Sequence, residues 1–197
     1  MNKDMSVVIP LFPLKTVLFP GGVLPLRVFE PRYLDMISSC LKAESGIGVV
    51  LISNGSEIGR AAETHEVGTL SLIDYWHKRK DGLLGVTLAG QQRFKILSHK
   101  VQSNQLIVAE VTLLPHVDPL ALPGDARHLV DILQQILSQL SAPYSRLHTD
   151  YEDANWVGSR LAELLPISLA DKQRILLIDD ANTRLEMINK LLHKLEY

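Results

Sequence analysis

Few residues in this chain have the types and spacing that chemistry requires, so the search starts with them. Seven histidines (His65, His77, His99, His116, His128, His148 and His193) are scattered through 197 residues. No two stand four residues apart on a helical pattern, and only one cysteine, Cys40, could join them. Zinc-type sites need clustered His and Cys ligands, so none is predicted. One cysteine also forbids an intramolecular disulfide. Cys40 falls on the apolar side of a predicted helix, where a thiol packs as a small hydrophobe; a nucleophilic thiolate needs an electropositive, accessible setting. Asp179-Asp180 reads as a helix end and the start of the next turn, not as an acid/base pair. The sequence therefore predicts no catalytic residue, no metal and no cofactor.

Two groups suit recognition. Tyr75 and Trp76 precede the basic run His77-Lys78-Arg79-Lys80, and an aromatic beside cations can stack a base and neutralise phosphate. The competing expectation is a solvated hairpin tip, with Asp81 offsetting one charge. Arg27, Glu30 and Arg32 are the charged members of an otherwise apolar stretch. They either rim a peptide groove or pair locally at the head of a helix. Phe12, Phe19, Phe29 and Tyr33 are expected in the core, and any of them left exposed would form an adhesive patch.

The elements that must position these residues begin with Pro10 to Tyr33. Prolines at 10, 13, 20, 25 and 31 forbid a helix through Glu30, because each fixes φ and removes a donor. The stretch reads as a strand from Val7 to Leu14, a turn at Pro20-Gly21-Gly22, and a strand from Val23 to Phe29. Pro31 then opens a helix to about Ala43, with Leu34, Ile37 and Leu41 at helical spacing. Ile47 to Ser53 is a buried strand and Asn54-Gly55 a turn. Residues 56–66 read as a loop. Val67–Trp76, Leu84–Ala89, Phe94–Leu97 and Leu106–Leu114 complete the strands, with Gly90-Gln91 and Ser103-Asn104 as separators. In Val67–Trp76, Leu70 and Leu72 are expected to alternate against Thr69 and Ile73. Many strands with short turns indicate a barrel or sandwich.

Residues 116–125 hold two prolines and a glycine and form the expected linker. Helical periods follow: Leu129 to Leu140, Trp156 to Leu165, a third helix capped by Ser168 and Asp171, and a fourth starting near Thr183, capped by Thr183 and Glu186. Domains at 1–117 and 118–197 are expected.

The net charge of −2 gives no general attraction to nucleic acid or acidic lipid. Every apolar run is too short for a membrane span, and M-N-K-D-M-S resembles no signal peptide, so a soluble cytoplasmic protein is expected.

The motif P-L-F-P-L-K-x-V-L-F-P-G-x-x-L-P-L-x-x-F-E-P-R-Y resembles the opening of the N-terminal, substrate-binding domain of the Lon protease family. G-I-G-V-V-L-I at 46–52, E-V-G-T-L at 66–70, G-x-x-R-F-x-I-L at 90–97, A-E-V at 109–111 and L-L-P-I-S-L-A-D-K-Q at 164–173 follow in the family's order. The resemblance implies an α+β fold: a β-rich, PUA-like pseudo-barrel with one early helix, then a helical lobe like a four-helix bundle. It implies a non-enzymatic module that binds unfolded or exposed apolar polypeptide, as an adaptor or holdase. Phe12, Phe19, Pro20, Arg27, Phe29, Glu30, Arg32 and Tyr33 are the peptide-binding candidates. No Gly-Lys-Ser/Thr phosphate loop occurs and no segment resembles the family's Ser–Lys proteolytic module, so the chain looks like the recognition domain alone. The PUA-like group includes RNA binders, so the rival expectation is an RNA-binding module using Trp76, Lys78, Arg79 and Lys80; the overall acidity makes nucleic acid the weaker partner.

Overall fold

The structure is a computed structural model that describes residues 6–195. The described chain packs as two compact units that divide between His116 and Val117.

In the first unit the sheet closes on itself. Strands β1 (Ser6–Leu14), β2 (Val23–Val28), β3 (Ile47–Asn54), β4 (Glu63–Thr64), β5 (Val67–Lys78), β6 (Leu84–Val101) and β7 (Ile107–Leu113) surround helix α1 (Pro31–Ala43) in sequence. The order β1-β7-β6-β5-β3-β4 is closed by a further β1–β3 pairing, and β2 adds to β6. β1 makes closure possible by changing partners midway. Ser6–Pro10 runs antiparallel to β7, while Leu11–Leu14 runs parallel to β3. The fold is α+β, as the resemblance implied.

A period of two with both faces buried gives this unit two cores. Ile9, Leu11, Val50, Phe94, Ala109 and Val111 form one. Phe12, Leu14, Ile47, Val49, Val86 and Leu88 turn the other way, against Tyr33, Met36, Ile37 and Cys40 of α1. Phe94 fits because Gly48 and Gly68 leave room: a Cβ on either would stand 2.9 or 2.8 Å from its ring.

One expectation fails here. Leu84–Ala89 and Phe94–Leu97 belong to one strand, β6; Gly90-Gln91 is no turn but a bulge, since Ser71 pairs with Gly90 and Leu70 with Gln92. In β5 the inward face is the one that carries Thr69. Thr69 and Ser71 are buried and Leu72 is exposed. The polar pair is stable inside because Thr69 Oγ1 donates to Leu18 O at 2.6 Å and Ser71 Oγ to Ile47 O at 2.9 Å.

The second unit contains α2 (Arg127–Ser138), α3 (Ala154–Leu164), α4 (Leu169–Leu176) and α5 (Ala181–Leu195), with short 3₁₀ turns at Gly124–Ala126 and Tyr144–Arg146. Leu129, Leu133, Val157, Leu161, Ile175, Leu185 and Ile188 are buried. Asp153 caps α3 by accepting from Asn155 N, and Ser168 caps α4 by accepting from Asp171 N. The last helix begins earlier than its predicted Thr183 cap. Asp180 is the residue that accepts from Thr183 N, at 2.7 Å, which draws its carboxyl below the usual range. Arg160 is fully buried beside Glu163, 3.2 Å away, and Arg184 donates to Asn155 Oδ1 and Ile178 O. No helix among the described residues is long and apolar enough to cross a membrane.

Candidate peptide-binding recess

The end of β2, the start of α1, the middle of β1 and the loop after β3 meet at a recess of about 120 Å³. Phe12 and Tyr33 form its floor. They stack at 4.3 Å between centroids with 27° between planes. Phe29 and Ile58 stand at the mouth, 51% and 58% exposed. Singly exposed apolar side chains are common; here two of them line one recess with an apolar floor, so they form a contiguous patch that a ligand could cover.

The mouth is held by one arginine. Arg32, buried at the second position of α1, lies 2.8 Å through Nε from Glu30 Oε2. The contact is short but off the N–H axis, so it acts as charge pairing rather than as an aligned hydrogen bond. Its other nitrogens donate to Gln105 O at 2.9 Å and Glu57 O at 3.2 Å, and its guanidinium lies 4.5 Å over the Tyr33 ring. Glu30 leaves the helix end uncapped by its side chain and instead accepts from Gly59 N at 3.1 Å. Lys15 N donates to Glu57 Oε1 and Ala61 N to Gln105 Oε1. The loop carrying Glu57 and Ile58 is thus tied to β1, α1 and the β6–β7 turn by groups far away in sequence. Burial pushes the Tyr33 phenol up; Arg32 opposes this, and Glu30 and Glu57 add to it.

Of the residues nominated from sequence, Phe12, Arg27, Phe29, Glu30 and Tyr33 line this recess. Arg32 supports it from beneath. Phe19, only 1% exposed, and Pro20 do not line it; they belong to the turn before β2, where Gly90 lacks a side chain because the Phe19 carbonyl occupies that space. Glu57 and Ile58 were missed. The available signal was Ile58 itself, a lone large aliphatic residue in the polar segment 56–66.

The basic hairpin is built differently. Arg79 pairs with Asp81 at 3.1 Å, and Asp81 accepts from Leu83 N. Gly82 takes φ 82°, the left-handed value its turn needs. Trp76 is 56% exposed and shares a strand face with Lys78, while Tyr75 stacks on His77 across the other face at 5.3 Å. Lys78 and Lys80 project into solvent. Cys40 is buried, its thiol pushed up by burial, and no group of three or more His, Cys, Asp or Glu placed to hold a metal occurs among the described residues.

Comparison with known proteins finds relatives over nearly the whole chain. The family model for the ATP-dependent protease La (LON) substrate-binding domain matches residues 8–194. The Lon protease of Cytophaga hutchinsonii is 27% identical over 202 residues, covering 98% of this chain and 25% of that protein. Protein cereblon of Gallus gallus is 31% identical over 117 residues, 58% of this chain and 25% of that protein. The chain therefore spans about a quarter of the length of these relatives. Among solved structures, a Lon N-terminal domain protein from Xanthomonas campestris superposes with a TM-score of 0.77 at 34% identity, covering 93% of this chain and 98% of that one. The N-terminal domain of a Mycobacterium avium complex Lon protease shares the fold, with a TM-score of 0.61 at 15% identity, covering 92% and 96% of the two chains. The family-model match over residues 8–194 shows that this chain belongs to the LON substrate-binding domain family.

Proposed function

We propose that this protein binds exposed or unfolded polypeptide without chemically altering it, as an adaptor or holdase, and that the Phe29–Ile58 mouth is where apolar client side chains enter. The observation that carries this reading is the pairing of two exposed apolar residues with a buried aromatic floor, held by an ion-paired arginine. An apolar side chain entering the mouth would cover Phe29 and Ile58 and gain roughly 25 cal/mol per Å² of surface removed from water. Arg27 and Glu30 at the rim would orient the client main chain. The family's designation as a substrate-binding domain supports a polypeptide ligand. The setting we assign is the cytoplasm, where Cys40 stays reduced.

The test is Phe29→Asp. Phe29 is already half in water, so the variant folds with unchanged unfolding midpoint. Its affinity for a labelled, permanently unfolded polypeptide, read by fluorescence anisotropy, falls at least tenfold. Unchanged affinity in the folded variant removes the recess from consideration. A labelled single-stranded RNA serves as the second probe; binding that weakens steeply with salt and with loss of Lys78 and Lys80 would replace this reading with the nucleic-acid one.

A further inference from the structure

β6 is longer than its neighbour. Its pairing with β5 ends at Lys95, opposite Val67, with one more bond from Ile96 N to Glu66 O. β6 continues to Val101, paired only with β7 along that length among the described residues. The direction of its main-chain groups follows by alternation along an antiparallel ladder. Gln102 N donates toward β7, to Leu106 O at 2.8 Å, so Lys100 also faces β7 and His99 and Val101 face away. Ile96, bonded to Glu66, faces that same outer side; the extra residue between Ile96 and Ser98 shifts the alternation by one, so the outward direction resumes at His99. The outer side opens on a groove of about 530 Å³, walled opposite by Ala61–Glu66 around the short strand β4. β4 ends the sheet order, so its outer edge pairs with no other strand among the described residues.

We propose that an extended segment of client polypeptide binds here as an added strand, taking main-chain hydrogen bonds from His99 and Val101. This rests on polypeptide being the ligand, but on a site separate from the Phe29 mouth. The occupant follows from the chemistry of the groove. Unpaired strand N–H and C=O groups are satisfied by another extended main chain and not by a helix, whose own groups are already used. Leu97, 55% exposed, and Val101 add apolar contact without demanding one sequence. Glu63 and Glu66 line the groove, no Lys or Arg lines it, and Lys95 beside it is paired with Glu66 at 3.9 Å, so a phosphate backbone would meet carboxylates, whereas an extended peptide needs no charge partner there.

Hydrogen exchange on the full chain tests this. With a reduced and alkylated unfolded polypeptide at saturation, exchange of the His99 and Val101 amides slows at least tenfold. A short client-derived peptide N-methylated at alternate residues binds at least tenfold more weakly than its unmethylated form, because methylation removes one edge of donors. Bound polypeptide with His99 and Val101 unprotected, or equal affinity for the methylated peptide, overturns strand addition and leaves the Phe29 mouth standing. Protection that grows with protein concentration and no polypeptide would mean that a second copy takes the edge, which also overturns it. Absence of any polypeptide binding defeats both readings together.

Discussion

The Phe29 mouth and the basic hairpin are both exposed, aromatic and flanked by charge, yet they are held by different kinds of contact. At the mouth, Arg32 reaches Gln105 and Glu57, and Glu30 reaches Gly59, across sequence separations of 73, 25 and 29. At the hairpin, the side-chain hydrogen bonds of Arg79 and Asp81 are local, within two residues. Local bonds shape a turn. Bonds between distant segments fix a surface that no single element would keep.

The largest effect that would break this contrast is expected from Arg32→Ala. It leaves Glu30 partly buried without its cation and releases the loop carrying Ile58, so urea unfolding should show a loss of about 3 kcal/mol. Limited proteolysis should then cut within residues 55–60. An intact loop with full stability would mean that the long-range bonds do not hold the mouth.

Tyr33→Phe is a smaller and pH-dependent change. The phenol is raised by burial, so its neutral form favours the folded state; the stabilisation is complete below about pH 10 and is lost as pH rises through the elevated folded value. Thermal unfolding of the wild type should therefore fall on the alkaline side of pH 10, and Tyr33→Phe should flatten that branch while keeping the stack on Phe12. An identical alkaline branch in both proteins would remove Tyr33 as its source. Least of all, replacing Lys78 and Lys80 by Ala should move stability by less than about 0.5 kcal/mol, because both sit in solvent on a self-contained turn. A larger loss would show that the hairpin is tied into the unit after all.

Much of this was legible in advance for a physical reason. The prolines of β1 and β2 and the helical spacing after Pro31 are strong local signals, so the strands, the turn at Gly21-Gly22 and α1 came out close to their observed limits. The errors arose where distant contacts override local ones. Gly90 reads as a turn residue but serves a bulge, because the chain at Phe19 presses against it. Which face of β5 turns inward was not legible either: Thr69 and Ser71 are buried, since Leu18 and Ile47 offer them carbonyls. Phe12, Phe29 and Tyr33 could be nominated from the motif. Ile58 could not, because bonds from Lys15, Glu30, Arg32 and Gln105, distant in sequence, bring its loop to them.

The change of partners within β1 also sets a timetable for synthesis. Ser6 pairs with Thr112 and Val8 with Glu110, so β1 must wait for the last strand of its unit before the ring closes. At ordinary elongation rates that interval is about 5–20 s. Throughout it, Ile9 and Leu11 lack Ala109 and Val111, and the nascent barrel presents to the ribosome's surroundings the kind of apolar surface that the finished protein is proposed to hold in others.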